Sequence, residues 1–116
     1  MQHNESFPKT ARLRRRREFL SVQRGGRRRH TAHFVVVRQS ADLGGSRLGI
    51  TVSARVGNAV ARNRVKRVVR EIFRRRRREL GSASDIVVIA KSGADNLTYA
   101  QAATELEQAL ELAPAR

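Results

Sequence analysis

Residues 59–80 restrict the fold more than any other part of the chain. Val65, Val68, Val69, Ile72 and Phe73 recur at i, i+3, i+4, i+7 and i+8, which at about 100° per residue is one face of an α-helix. Such a stripe has to be buried against a second layer, and the flanking segments supply one. Upstream, residues 47–53 (RLGITVS) turn Leu48, Ile50 and Val52 to one side and Gly49 and Thr51 to the other. Downstream, residues 85–91 (DIVVIAK) have a continuous apolar centre, as expected of a strand covered on both faces. Strand, helix and strand in succession predict a parallel pair joined by a crossover helix. The glycine inside the first strand implies that a helix packs closely there or that another group approaches the backbone.

The remaining elements follow from the same periodicities. Residues 1–9 read as a tail, and 10–113 as a single domain. A helix is expected over 12–24, with Thr10 as its N-cap and Leu13, Phe19, Leu20 and Val22 as its apolar members. Gly25 and Gly26 stop it. Residues 27–30 read either as loop or as a short edge strand, and 33–38 (HFVVVR) as a strand. The segment 40–46 has loop chemistry, and Gly57-Asn58 breaks the strand pattern before the long helix. A last helix is expected over 98–112, with Leu106, Ala109, Leu110 and Ala113 toward the core and Glu105, Glu107 and Glu111 making it acidic. The expected fold is α+β: a two-layer α/β sandwich in the order α-β-β-β-α-β-α.

Charge then indicates the partner. The 116 residues carry a formal net charge of +15, and self-repulsion on that scale adds nothing to the stability of a compact domain. A polyanion answers it best, because each cation placed on a phosphate releases condensed counterions. From Arg62 to Arg78, nine Arg and one Lys face a single Glu71. Asn63, Arg67, Arg70 and Arg74 point away from the valine stripe, with Lys66 and Arg64 on the flanks, and Lys66/Arg70, Arg70/Arg74 and Arg74/Arg78 repel at i, i+4. A face that accepts this repulsion is suited to lie against phosphates. The basic blocks 14–17 and 27–29 read either as solvated arms or as further nucleic-acid contacts.

The segment 57–71, GNAVARNRVKRVVRE, resembles the Arg-Asn-Arg signature of the ribonuclease P protein family, and RLGITVS resembles the strand that precedes it. The likeness extends over roughly residues 9–112. It implies the α/β sandwich with a left-handed strand–helix–strand crossover, against the usual preference. It also implies a role as the protein subunit of the ribonucleoprotein endoribonuclease that matures the 5′ end of tRNA. In that family the RNA and its Mg²⁺ carry the catalysis, so no catalytic residue is expected in the protein. By resemblance, Arg62, Asn63, Arg64, Lys66, Arg67 and Arg70 contact the catalytic RNA, with Arg55 and Asn58 in the turn before them. Phe19, Val37 and Lys91 fall where the 5′ leader of precursor tRNA is held. Gln23 stands where many members have a second aromatic, and Ser53-Ala54-Arg55 where many have Ser-Lys-Lys. Phe19 and Val37 also have a plainer reading as core residues.

Other chemistry finds little support. There is no cysteine, which removes disulfides, thiolate metal sites and a cysteine nucleophile. His3, His30 and His33 are dispersed, the last two on opposite sides of the expected strand, and the aspartates form no catalytic pair. The expected partners are the catalytic RNA and precursor tRNA, with no further protein required and no membrane. Mg²⁺ is expected mainly on RNA and substrate. No apolar run approaches the ~20 residues of a membrane span, and the polar first residues have no signal-peptide character, so a cytoplasmic protein is expected. The rival readings are a ribosomal or ribosome-associated structural RNA binder, a DNA-compacting protein and an anionic-membrane binder.

Overall fold

The computed structural model describes residues 11–41, 45–81 and 83–113. In chain order these form α1 (Arg16–Gly25), β1 (Arg27–His30), β2 (Phe34–Ser40), β3 (Arg47–Val52), α2 (Ala59–Arg76), β4 (Ser84–Ala90) and α3 (Tyr99–Ala109). Short 3₁₀ turns at Arg77–Leu80 and Ala94–Asn96 complete them. The four strands form one sheet in the order β1-β2-β4-β3. β1–β2 and β2–β4 are antiparallel, whereas β3 and β4 run parallel, joined through α2. The crossover unit expected from the valine stripe is therefore present, and residues 27–30 are an edge strand.

Strand alternation divides the apolar residues between two cores. Phe34, Val36, Leu48, Ile86, Val88 and Ala90 face α2 and α3, where they meet Val65, Val69, Ile72, Phe73, Ala102 and Leu106. This sheet-on-helix sandwich is the main core. Val35, Val37 and Val87 point the other way and pack with Leu13 and Val22, with Phe19 and Ile89 at the margin. α1 thus adds a cover on the opposite face, and β4, in the middle, is apolar on both sides.

Local chemistry sets the helix ends. The Asn58 side chain accepts from the Ala61 N–H at 2.9 Å and opens α2. Thr98 and Gln101 form a reciprocal capping box for α3, so Thr98 is the cap and not the first helical residue. α3 ends at Ala109, and Ala113 is exposed instead of facing the core. α1 begins four residues later than expected, because the chain before it is committed elsewhere. The Leu13 N–H donates to Leu48 O at 2.8 Å, and Arg12 forms a parallel bridge with Leu48. The segment adds to the free edge of β3, and only then does the Glu18 carboxylate, accepting from the N–H groups of Arg14 and Arg15, start the helix. The tail expected over 1–9 and the Thr10 cap lie outside the described residues.

Gly49 shows why its strand contains no side chain at that point. A Cβ there would lie 2.6 Å from the Phe19 ring and 3.2 Å from Leu13 Cβ. Of the two readings of this glycine, close packing of a helix or approach of another group, the structure shows the first. Gly49→Val is expected to push Phe19 out of its seat and cost about 1–3 kcal/mol, read as a lower urea midpoint with an unchanged m-value. An unchanged midpoint would show that the ring moves aside freely.

Candidate nucleic-acid interface

The acids of the α3 region and of α2 are paired with neighbours before any partner arrives. The three glutamates of the α3 region are docking groups and not an acidic surface. Glu105 meets His33 Nδ1 at 2.6 Å and accepts from the Thr31 hydroxyl and the His33 N–H. Burial opposes ionisation of Glu105, yet these donors hold its pKa below the ordinary value. Glu107 pairs with Arg76 at 2.6 Å, and Glu111 with Arg29. His33 lies in the turn before β2, so the strand placement expected for it is corrected, and its ring is occupied by α3.

Glu71, the single acid between Arg62 and Arg78 on α2, is also consumed locally. Arg74 holds it at 2.9 and 2.5 Å and Arg75 at 2.8 Å. The Arg74 hydrogen bonds, against a burial penalty and with help from Arg75, pull the Glu71 pKa down to about 2. Because the folded value is depressed, its stabilisation is present above the unfolded value near 4.5 and is lost as pH falls toward 2. The stability gap between the native chain and Glu71→Gln is therefore expected to be full at neutral pH and to close between about pH 4.5 and 2. Urea titrations across that range would show it, and a gap independent of pH would refute the assignment.

What remains on α2 is positive and unneutralised. Arg62, Lys66 and Arg70 form one row at i, i+4 and i+8, flanking the buried stripe on the β3 side. Lys66 and Arg70 join Arg12, Arg14 and Phe19 around a cleft of about 230 Å³ above Leu48 and Ile50 of β3. Among the described residues no carboxylate lines it. Burial first, and then the charge of Arg12, hold the Arg70 pKa below its ordinary value, as expected where cations converge. The Arg62 Nε is buried without a hydrogen-bond partner, an uncommon state for a charged donor. Asn63 and Arg67 are exposed on the crest of the helix.

The other expected contacts are placed differently. Arg64 is exposed but turns to the β4–α3 connection, donating from Nε to Asp95 O at 3.3 Å and from Nη2 to Leu97 O at 3.1 Å. Arg55 sits exposed in the turn before α2, and Asn58 spends its side-chain oxygen on the helix cap. Phe19, half-buried, lines the cleft just described. Val37 is 0 % exposed; it is a core residue under α1 and forms no part of an open wall. Lys91 lies four residues past Val87 along β4, roughly 13 Å away, and its Nζ donates to Thr31 O at 2.7 Å. The three leader residues therefore do not converge on one point.

Between Phe19 and Lys91, the face of the sheet beyond α1 carries a cross-strand row that the sequence reading missed: His30, Val35, Ile89 and Thr51. The signal was available in the alternation of 28 and 30 against 35 and 37, but it needed the strand order. Arg12 was missed because it was taken as helical. Among the described residues no group of three or more His, Cys, Asp or Glu could hold a metal ion, and the donors lining the basic cleft are themselves cations. This surface does not fit a Mg²⁺ site.

A small α+β domain with a buffered acidic side and an unopposed basic helix face defines an RNA-binding protein of the α/β sandwich class. The family profile described as Ribonuclease P matches residues 7–113. The chain is 46 % identical over 106 residues to the ribonuclease P protein component of Geobacter sp. (strain M21), covering 91 % of this chain and 90 % of that one. It is 42 % identical over 101 residues to that of Syntrophus aciditrophicus (strain SB), covering 87 % and 85 %. Among solved structures, the Staphylococcus aureus RNase P protein superposes with a TM-score of 0.80 at 35 % identity, covering 89 % of this chain and 94 % of that one. The Thermotoga maritima protein gives 0.78 at 36 % identity, covering 86 % and 94 %. The chain belongs to the ribonuclease P protein family, the protein component of the endoribonuclease that matures tRNA 5′ ends.

Proposed function

We propose that the α2 face and the turn before it (Arg55, Asn58, Arg62, Asn63, Arg64, Lys66, Arg67, Arg70) bind the catalytic RNA, while the α1 side of the sheet holds the 5′ leader of precursor tRNA. The observation that carries this is the basic cleft in which Lys66 and Arg70 meet Arg12, Arg14 and Phe19. Cations enforced at that spacing repel one another until phosphates fill the cleft, and filling it releases counterions. Phe19 offers one face to a leader base, and a single stacking contact of this kind is worth about 1–3 kcal/mol. The row His30, Val35, Ile89 and Thr51 leads from there toward Lys91 and forms the floor along which the leader runs. Val37 lies beside that floor on the same face of the sheet, covered by α1. Mg²⁺ belongs to the RNA and substrate, for which this protein provides neutralising charge and not ligands. No described helix is long and apolar enough to cross a membrane, in keeping with action in the cytoplasm on RNA.

The test is reconstitution with a bacterial-type catalytic RNA and precursor tRNA at low Mg²⁺. Protein is expected to stimulate leader cleavage strongly, and to lose most of its advantage at high Mg²⁺, where metal ions screen the same phosphates. Tight binding to structured RNA with no stimulation would overturn the reading in favour of a ribosome-associated structural protein.

A further inference from the structure

A second basic cleft lies at the opposite edge of the sheet. The register places Arg27 across from Arg38, and Arg29 across from Val36, so all three arginines project to the face covered by α3. That helix stops at Ala109, short of β1. The uncovered corner is a cleft of about 250 Å³ between β1, β2, β4 and the end of α3. Three strand spacings, about 14 Å, separate β1 from β3 and the cleft described above.

The three guanidiniums are in different states. Arg38 is fixed by Nε donating to Ser84 Oγ at 2.9 Å and Nη2 donating to Leu80 O at 2.7 Å, both neutral acceptors. Arg27 is exposed and meets no carboxylate among the described residues. Arg29 is met by the carboxylate of Glu111. Glu111 reaches it from a backbone φ of 59°, the one left-handed non-glycine residue described. This conformation closes the end of α3 as a Schellman cap, with the Leu112 N–H donating to Glu107 O and the Glu111 N–H to Gln108 O, and the turn sets the Glu111 carboxylate beside the cleft.

We propose that this cleft binds a phosphate of a polynucleotide strand, and that Glu111 is the internal anion occupying its place in the free protein. A phosphate accepts bidentate bonds from guanidinium groups as a carboxylate does, and it can take Arg29 from Glu111 while also engaging Arg27 and the pre-positioned Arg38. A polymer is favoured over a free anion because the cations continue past the cleft. Arg28 projects to the other face of the same exposed strand, giving a track over the sheet edge longer than one phosphate occupies. The protein then contacts RNA at both edges of its sheet.

The test measures binding of a fluorescein-labelled single-stranded oligoribonucleotide to the full chain by anisotropy, with side-chain Nε–Hε spectra of the arginines recorded in parallel. Glu111→Gln is expected to tighten binding by about two- to fivefold, the scale of one exposed ion pair. Arg27→Ala/Arg29→Ala is expected to weaken binding and reduce the salt slope by roughly 1.4, two single-strand contacts. Melting curves verify that each variant is folded. Opposite signs for the two variants, with Arg27, Arg29 and Arg38 resonances shifting on titration, support the site. Identical affinities in both variants and the native chain overturn it. Inorganic phosphate shifting the same resonances as strongly as the oligonucleotide, at equal phosphate concentration, overturns the polymer assignment in favour of a small anion. Repeating the series in Arg62→Ala/Arg67→Ala separates the sites: a loss there with no response to Arg27 and Arg29 sinks this proposal and leaves the α2 interface standing.

Discussion

Replacing Arg62, Arg64 and Arg67 together by alanine is expected to weaken binding to the catalytic RNA by on the order of 100-fold at moderate salt, and to lower the salt slope by up to roughly three units. The three residues do not act alike. Arg67 stands free on the crest of α2, so its loss removes a phosphate contact and nothing else. Arg62 carries a buried Nε without a partner, so removing it also relieves a cost of the free protein and slightly raises thermal stability. Arg64 ties α2 to the carbonyls of Asp95 and Leu97; its loss loosens the β4–α3 connection, and Arg64→Ala alone is expected to reduce stability as well as affinity. Filter binding across a salt series, with melting curves of each single variant, resolves these contributions. A triple variant that binds and stimulates cleavage like the native chain would remove α2 from the interface.

The largest expected loss of stability comes from Arg76. Its side chain is 12 % exposed and that of Glu107 is 9 % exposed, with 2.6 Å between Nη1 and Oε2. Arg76 also holds Glu79 and donates to Ala113 O, so it fastens the end of α2 to the end of α3. Arg76→Ala leaves the Glu107 carboxylate buried without its cation, a change that costs about 3 kcal/mol and roughly 10 °C in Tm for a domain of this size. Replacing both partners, as Arg76→Met/Glu107→Leu, is expected to recover most of the loss, because an apolar pair escapes the desolvation penalty. Chemical denaturation of the native chain, Arg76→Met, Glu107→Leu and the double variant completes the cycle. A cost below about 1 kcal/mol for Arg76→Ala would mean that water screens the pair as it does at the surface.

These two predictions rest on different kinds of information. The crest residues Asn63 and Arg67 could be placed from the period of the valine stripe alone. Arg76 could not be assigned a role that way: regular spacing puts it on the apolar side, a position that makes no sense until Glu107 is seen opposite. The aliphatic stem then lies in the core while the guanidinium reaches its partners. His33 and Glu105, 72 positions apart, were equally invisible as a pair. The glutamates made the last helix read as acidic, whereas Glu105 is taken up by His33 before β2, Glu107 by Arg76 of α2 and Glu111 by Arg29 of β1.

The local elements were determined by the sequence itself. Apolar period, strand alternation and the capping side chains of Asn58 and Thr98 act over a few residues, and such short-range signals survive without knowledge of the fold. Gly49 announced a close approach, by a helix or by another group, and the structure makes it α1. Strand order, and everything that depends on it, was decided only in three dimensions. Inserting β4 between β2 and β3 buried Val37 completely and moved Lys91 away from Phe19. Addition of residues 12–13 to the β3 edge brought Arg12 beside Arg70, and the short reach of α3 left the arginines of β1 uncovered. Each of these follows from long-range packing, in which a residue's exposure is set by which strand becomes its neighbour and not by its own chemistry.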